Sequence, residues 1–154
     1  MPQKRQYWLL KSEPTCYSFD DLKRDGSTPW TGIRNYQARN YMKDQMRPGD
    51  RALFYHSSAD PTAIVGICEV VSTAIADETA MDPKDDHYDP KATPQNPIWY
   101  CVEVKYVKPL KEPITLQEAR KMKGLEKMVL LQKGSRLSVQ PVTEEEWKII
   151  TGEK

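Results

Sequence analysis

The stretch Tyr7–Pro14 (YWLLKSEP) is an apolar, strand-like run that stops abruptly in a cation, a hydroxyl and a carboxylate, Lys11, Ser12 and Glu13. A core strand ordinarily runs into a plain turn, so three chemically active side chains in succession place a functional edge at the end of this one. A second patch, Trp30–Arg39 (WTGIRNYQAR), sets an aromatic, a guanidinium, a carboxamide and a phenol (Trp30, Arg34, Asn35, Tyr36) within seven residues. Aromatic faces beside planar hydrogen-bonding groups are what a protein needs to hold a single nucleobase. The two patches point to a reader of nucleic acid more than to a hydrolase.

A chain of 154 residues with 38% hydrophobic side chains, four Trp and eight Tyr suits one globular domain, residues 1–154, with a real core. No apolar run approaches the roughly 18 residues of a membrane span. The apolar run in MPQKRQYWLL is too short for a signal peptide and no small-residue cleavage site follows it. The expected location is therefore cytoplasmic, nucleoid-associated in a bacterium or nuclear in a eukaryote. Cys16, Cys68 and Cys101 are widely spaced and odd in number, and no CxxC or HxxxH spacing occurs, which argues against a zinc site or a disulfide framework. Cys68 and Cys101 lie in strand-like runs and read as core. Charge is unevenly spread: residues 1–57 hold ten Lys/Arg against six Asp/Glu, residues 58–97 two against eight, and residues 98–154 eleven against eight. Both ends are basic and the middle is acidic, a pattern that permits a local basic surface on a nearly neutral protein.

Local signals give the elements. After the first strand, Tyr7–Lys11, Ser18 and Asp21 form a capping box, with Tyr17 able to staple onto Leu22, for a short helix ending at Asp25-Gly26. Asn35 caps a longer helix, Tyr36 to Met46, closed by Pro48-Gly49. Arg51–Ser57 and Ala63–Val71 read as paired strands across the turn Ser58–Pro61, with Gly66 marking a bulge or a close backbone approach. Acids and prolines in residues 77–97 favour a long ordered loop. Ile98–Val107 alternates, with Ile98, Tyr100, Val102, Val104 and Tyr106 on one face and Trp99, Cys101, Glu103 and Lys105 on the other. Capping boxes at Thr115/Glu118 and Thr143/Glu146 start two C-terminal helices, the second with a Val142–Trp147 staple. A further helix is expected near Leu125–Gln132, ended by Gly134, and a short last strand at Arg136–Val139. The fold expected is α+β: a mixed, mainly antiparallel sheet curled into a small barrel and flanked by short helices.

Trp99 sits on the mostly polar face of its strand, where a large aromatic either packs under a second layer or lines a cavity. Trp30, between Pro29 and Thr31-Gly32, belongs to no apolar stripe and reads as a loop aromatic. Trp8 and Trp147 belong to the core. Arg34 and Arg136 can each place a planar fork on a phosphate or base edge, or form surface ion pairs. Arg39, Lys43 and Arg47 recur at i+4 and form either a phosphate track or a solvated helix face. Tyr55, His56 and Ser57 end a strand in hydroxyl, imidazole and hydroxyl. Pairing His56 with Cys16 or Ser12 would give a hydrolase, but no nucleophile elbow, Gly-rich phosphate loop or metal motif accompanies them. The run Asp82–Asp89 (DPKDDHYD) reads as an acidic loop rather than a calcium loop.

Taken together, YWLLKSEP, YSFDDL, WTGIRNYQARNYM, RPGDRALFYHS, IVGICEV, YDPK, IWYCVEVKYV and GSRLSV resemble the EVE domain family, in order and over Tyr7 to about Val139. The resemblance implies a PUA-like β-barrel related to the YTH domain, which reads a methylated adenine. It further implies a flipped modified base, such as a modified cytosine in DNA or a modified base in RNA. In such a pocket Trp30 and Trp99 form the walls, with Ser12 and Asn35 reading the edge. Lys11, Glu13, Arg34, Tyr55, His56, Ser57, Arg136 and Ser138 complete the candidate pocket, and Arg39, Lys43 and Arg47 are the candidate backbone contacts. Tyr36, Tyr55 or Tyr88 can complete the aromatic enclosure. The expected partner is nucleic acid, with no cofactor, metal or membrane. The rival from another class is a small hydrolase of a modified nucleoside, with Lys11 and Glu13 as its acid/base pair.

Overall fold

Two apolar layers, one on each face of a six-stranded sheet, hold most of the buried apolar residues. The structure is a computed structural model that describes residues 5–57, 61–132 and 137–152. In chain order its elements are β1 (Tyr7–Ser12), α1 (Phe19–Asp25), β2 (Ser27–Pro29), α2 (Tyr36–Asn40), a π-helical turn (Tyr41–Gln45), β3 (Arg51–His56), β4 (Ala63–Val70) and β5 (Ile75–Ala76). There follow a 3-10 turn (Glu78–Met81), β6 (Tyr100–Cys101), β7 (Glu103–Thr115), α3 (Leu116–Lys121), a 3-10 turn (Val129–Leu131), β8 (Val139–Val142) and α4 (Glu144–Thr151). Six strands form one sheet in the order β2-β7-β4-β3-β1-β8, curled into a half-barrel with short helices around it. The β1–β3 pair is parallel and its neighbours are antiparallel.

Period-2 alternation in β1 and β3 divides the core. Trp8, Leu10, Ala52 and Phe54 face a layer built with Phe19, Leu22, Ala38 and Met42, whereas Leu9, Leu53 and Tyr55 face a layer built with Leu125, Met128, Trp147 and Ile150. Asp50, buried at the start of β3, accepts the Trp8 indole N–H (3.1 Å) and the backbone N–H groups of Gln6 and Arg47, so this carboxylate is hydrogen-bonded rather than stranded. The Ser18, Thr115 and Thr143 capping boxes form as their sequences dictate, and Asn35 Oδ1 accepts the Ala38 N–H. Cys68 and Cys101 are in the core, where burial pushes both thiols up to about 12.

Four local expectations are corrected. The helix from Tyr36 widens at Tyr41 into a π turn, closed by the Met46 N–H on Tyr41 O (2.9 Å), so Arg39, Lys43 and Arg47 do not keep one i+4 line. Only a 3-10 turn, Val129–Leu131, replaces the helix sought over Leu125–Gln132. Met128 and Leu130 are both buried although two residues apart, a spacing that does not share one α-helix face, because packing under the sheet overrides propensity. The last strand is Val139–Val142, an edge strand that tolerates Pro141; Gly134 and Arg136 lie outside the described residues. The alternation over Ile98–Val107 breaks twice, at Ile98 (φ 64°) and between β6 and β7, where Cys101 and Val102 are both buried. A β-branched residue at positive φ is strained by about 1–2 kcal/mol. Arg39 donates to Ile98 O (2.9 Å) and holds that turn.

Gly66 is the close approach anticipated: the β3–β4 and β4–β7 registers shift beside it, and a Cβ there would overlap the Phe19 ring. Gly66→Ala should cost about 1–3 kcal/mol in urea unfolding, with Phe19→Leu restoring part of the loss in the double variant. An unchanged midpoint would show that Phe19 moves aside freely. A second test concerns His56, whose Nε2 accepts the Phe19 N–H at the start of α1 (3.0 Å). Burial holds its pKa below the usual value despite Asp20 nearby. The unfolded chain therefore binds this proton more readily, and stability should fall as pH drops below about 6.5, where free imidazole protonates. In the His56→Gln variant that part of the slope should vanish from thermal melts taken across the range.

Candidate functional site

The ends of β1 and β3 open onto a cleft of about 660 Å³. Its first wall is the turn after β1. Cys16 N–H and Tyr17 N–H both donate to Glu13 O (2.9 Å each), and Ser12 Oγ donates to Tyr17 O (2.6 Å), so the turn closes on itself. Tyr17 donates its phenol to Asp25 Oδ2 (2.8 Å), and burial together with that carboxylate pushes its pKa up to about 12. The second wall is the strap Thr28–Ile33. Trp30 is tied by its N–H to Val102 O and sits edge-on to Phe54 (5.4 Å) and Tyr17 (6.4 Å), with 6% of its surface exposed. Only a margin of the indole faces the cleft. Lys11 is half-buried, with Nζ 6.0 Å from the Tyr55 ring centre and no ion-pair partner among the described residues. Burial lowers its pKa.

One carboxylate fixes the strap. Asp77 is fully buried and accepts from Gly32 N (2.8 Å), Arg34 Nη1 (3.0 Å), Thr79 N (3.0 Å) and Thr79 Oγ1 (2.5 Å). Burial alone would raise its pKa, but the donors from Thr79, Gly32 and Arg34 outweigh that and hold it low. Arg34 is used up in this brace: it also donates to Ile33 O, Thr79 Oγ1 and His87 O. Gly32 has φ +87°, and a Cβ on it would stand 3.0 Å from the His87 ring. His87 in turn is held by Asp85, which accepts its N–H (2.8 Å) and lies 3.2 Å from Nδ1.

Of the residues singled out in the sequence, Lys11, Ser12, Glu13, Cys16, Trp30, Ser57 and Ser138 line the cleft. Ser57 and Ser138 carry no side-chain hydrogen bond to a described residue, which leaves both hydroxyls available. The others are placed elsewhere. Arg34 braces Asp77, and Asn35 spends its carboxamide oxygen capping α2. Tyr55 faces the second core layer, one residue out of phase with Phe54 and His56, and His56 supports α1. Trp99, expected opposite Trp30, instead packs on Ala80 and Ala92, donates Nε1–H to Asp89 Oδ2 (2.8 Å) and stacks under Tyr36 (4.9 Å). Tyr36, Tyr55 and Tyr88 all lie off the cleft, so none completes an enclosure around Trp30. Arg39 donates to Ile98 O and Asn40 Oδ1, Lys43 lies 5.5 Å from the Tyr100 ring centre, and Arg47 donates to Asp44 O and Met46 O beyond the helix. Arg136 lies outside the described residues.

Tyr17, Gly32 and His87 join the cleft without having been marked in the sequence. Tyr17 reads locally as a helix staple and His87 as part of an acidic loop. No local signal joins residue 32 to residues 77 and 87; only the fold does.

A family model described as "EVE domain" matches residues 6–153. Thymocyte nuclear protein 1 of Gallus gallus is 40% identical over 94% of this chain, which spans 66% of that protein's length, and the chain covers about two thirds of the curated relatives it matches. The X-ray structure of PSPTO5229 from Pseudomonas syringae superposes with a TM-score of 0.91 at 44% identity, covering 95% of this chain and 97% of that one. Human THYN1 in complex with 5-methylcytosine-containing DNA superposes with a TM-score of 0.88 at 37% identity, covering 97% and 98%. With the family model spanning nearly every residue and the same sheet recurring in these relatives, the chain belongs to the EVE domain family.

Proposed function

We propose that this protein binds DNA carrying a modified cytosine, 5-methylcytosine in the first instance, and takes that base out of the stack into the cleft at the ends of β1 and β3. The observation that carries the reading is the cleft itself, which combines a margin of Trp30 and the Tyr17 ring with the free hydroxyls of Ser57 and Ser138 and an unpaired cation, Lys11. Apolar surface covers the face of a base, hydroxyls meet its edge, and an ammonium without a carboxylate partner suits the phosphate that must accompany a flipped nucleotide. The complex of human THYN1 with 5-methylcytosine-containing DNA supports the choice of polymer and base. The binding reading asks for no chemical step, only for a pocket held rigid before the base arrives, which the Asp77 brace supplies.

A second reading rests on Lys11. Its pKa is lowered by burial, one of the features a nucleoside hydrolase would use for proton transfer, and Glu13, just past the end of the same strand, lines the same cleft. Release of free base from a modified nucleoside, lost in Lys11→Met, would favour that account over binding alone.

The test is fluorescence anisotropy on a DNA duplex bearing one 5-methylcytosine, its unmodified twin, and an RNA of the same sequence. Wild-type protein should prefer the modified duplex, and equal affinity for both twins would overturn the reading. Ser57→Ala and Ser138→Ala should each cut the preference about fivefold, the worth of roughly one hydrogen bond. Lys11→Met should instead weaken both duplexes alike and flatten the dependence of log Kd on log salt by about one unit. Trp30→Ala is a poor probe of selectivity, because the indole is part of the core. Its urea midpoint should drop by the equivalent of about 3–5 kcal/mol.

A further inference from the structure

Outside the cleft, one large aromatic stands apart from every other in the chain: Tyr36, the first residue of α2, is 60% exposed. Its ring is not loose. One face stacks on Trp99 at 4.9 Å and 19°, and Trp99 is itself buried and anchored through its indole N–H to Asp89. The Arg39 guanidinium lies 4.8 Å from the Tyr36 centroid and 5.9 Å from that of Trp99. Arg39 thus lies over the Tyr36 ring and near Trp99, and with 60% of Tyr36 exposed much of the phenol ring stays open to solvent. A flat, fixed, exposed π face is costly to leave in water and has one common use beside cations, the stacking of another flat ring.

The charges around it say which ring. Arg39 is held by neutral acceptors, Asn40 Oδ1 (2.8 Å) and Ile98 O (2.9 Å), which position the guanidinium without neutralising it. Lys43, one turn on, is exposed beside Tyr100. Among the described residues no carboxylate pairs with either. An aromatic platform flanked by two uncompensated cations matches a nucleotide: a planar base for the ring, phosphates for the cations. The platform is also mechanically joined to the cleft. The Arg34 guanidinium lies 5.2 Å from the Trp99 ring centre while its Nε donates to the carbonyl of His87, which lines the cleft.

We infer that Tyr36 is a second base-stacking platform, which takes a nucleobase neighbouring the one in the cleft, with Arg39 and Lys43 on the phosphates beside it. This rests on the nucleic-acid reading above but assigns a separate site with a separate task. A stacking face is blind to the pattern of a base's edge, so the platform adds affinity for modified and unmodified strands equally and leaves selectivity to the cleft.

The experiment measures Tyr36→Leu and Tyr36→Phe against wild type on the modified duplex and its unmodified twin, with 2-aminopurine placed in turn on either side of the target position. Leucine keeps an apolar cover over Trp99 but has no π face; phenylalanine keeps the face and loses the hydroxyl. Tyr36→Leu should weaken both duplexes by roughly five- to hundredfold, the range for losing one base–aromatic stack. The ratio between the two duplexes should stay constant. Tyr36→Phe should bind within about twofold of wild type. Quenching of 2-aminopurine at one flanking position should occur with wild type and Phe but not with Leu. Wild-type affinity in Tyr36→Leu, or an equal loss in Leu and Phe, overturns the platform. Preference for the modified duplex without Tyr36 dependence leaves the cleft standing alone, and Tyr36 dependence without preference leaves the platform and removes the cleft. Absence of any binding removes both.

Discussion

Burying the Asp77 carboxylate is the constraint on which the working end of this protein depends. A carboxylate taken out of water needs donors on both oxygens, and a shortfall costs several kcal/mol. Here the donors come from three separate places: Gly32 in the strap, Arg34 just beyond it, and Thr79 in the loop that follows β5. Satisfying one charge therefore fixes the distance between two segments more than forty residues apart. Arg34, so placed, reaches on to the carbonyl of His87 and over the ring of Trp99. Through His87 the acidic middle of the chain thus reaches the cleft, and the charge of Asp77 is consumed internally.

The sheet supplies the other half of the site by geometry alone. β1 and β3 run parallel with Ser12 opposite His56, so their C-terminal ends come out together and Ser57 follows directly. Both strands are buried on both faces, and side chains along them alternate between two apolar layers. Chemistry can appear only where the layers end. That is why Lys11, Ser12 and Ser57 meet the cleft while Tyr55, two positions before Ser57, is still packed in a core layer. Nearness to the strand end, not phase, separates a cleft residue from a core residue here.

In the proposed reading, cleft and platform divide recognition in a manner that suits the chemistry of each. The cleft is recessed and holds hydroxyls free to meet an edge, whereas the Tyr36–Trp99 stack is exposed and presents only a face. The strained turn at Ile98 belongs to the second of these. Its carbonyl receives Arg39, and the turn aims Trp99 away from the strand that follows, under Tyr36.

By itself the sequence determined a good deal: three capping boxes, the Asn35 cap, the steric role of Gly66, the buried tryptophans Trp8 and Trp147, the family, and the polar ending of the first strand that lines the cleft. All of these are written in short windows, where a side chain meets backbone three residues away or an apolar period repeats. The tertiary structure alone decided the rest. Asn35 and Arg34 look like base-reading groups in a window of ten residues, yet a cap and a buried carboxylate claim them. Trp99 looks like the partner of Trp30, but the positive φ of Ile98 turns it into a different cluster. His87 enters the cleft on a contact with Arg34, a segment far away in the chain. The physical reason is one of range: hydrogen-bonding capacity is a property of each residue, whereas what remains unspent after folding is a property of the whole packed chain.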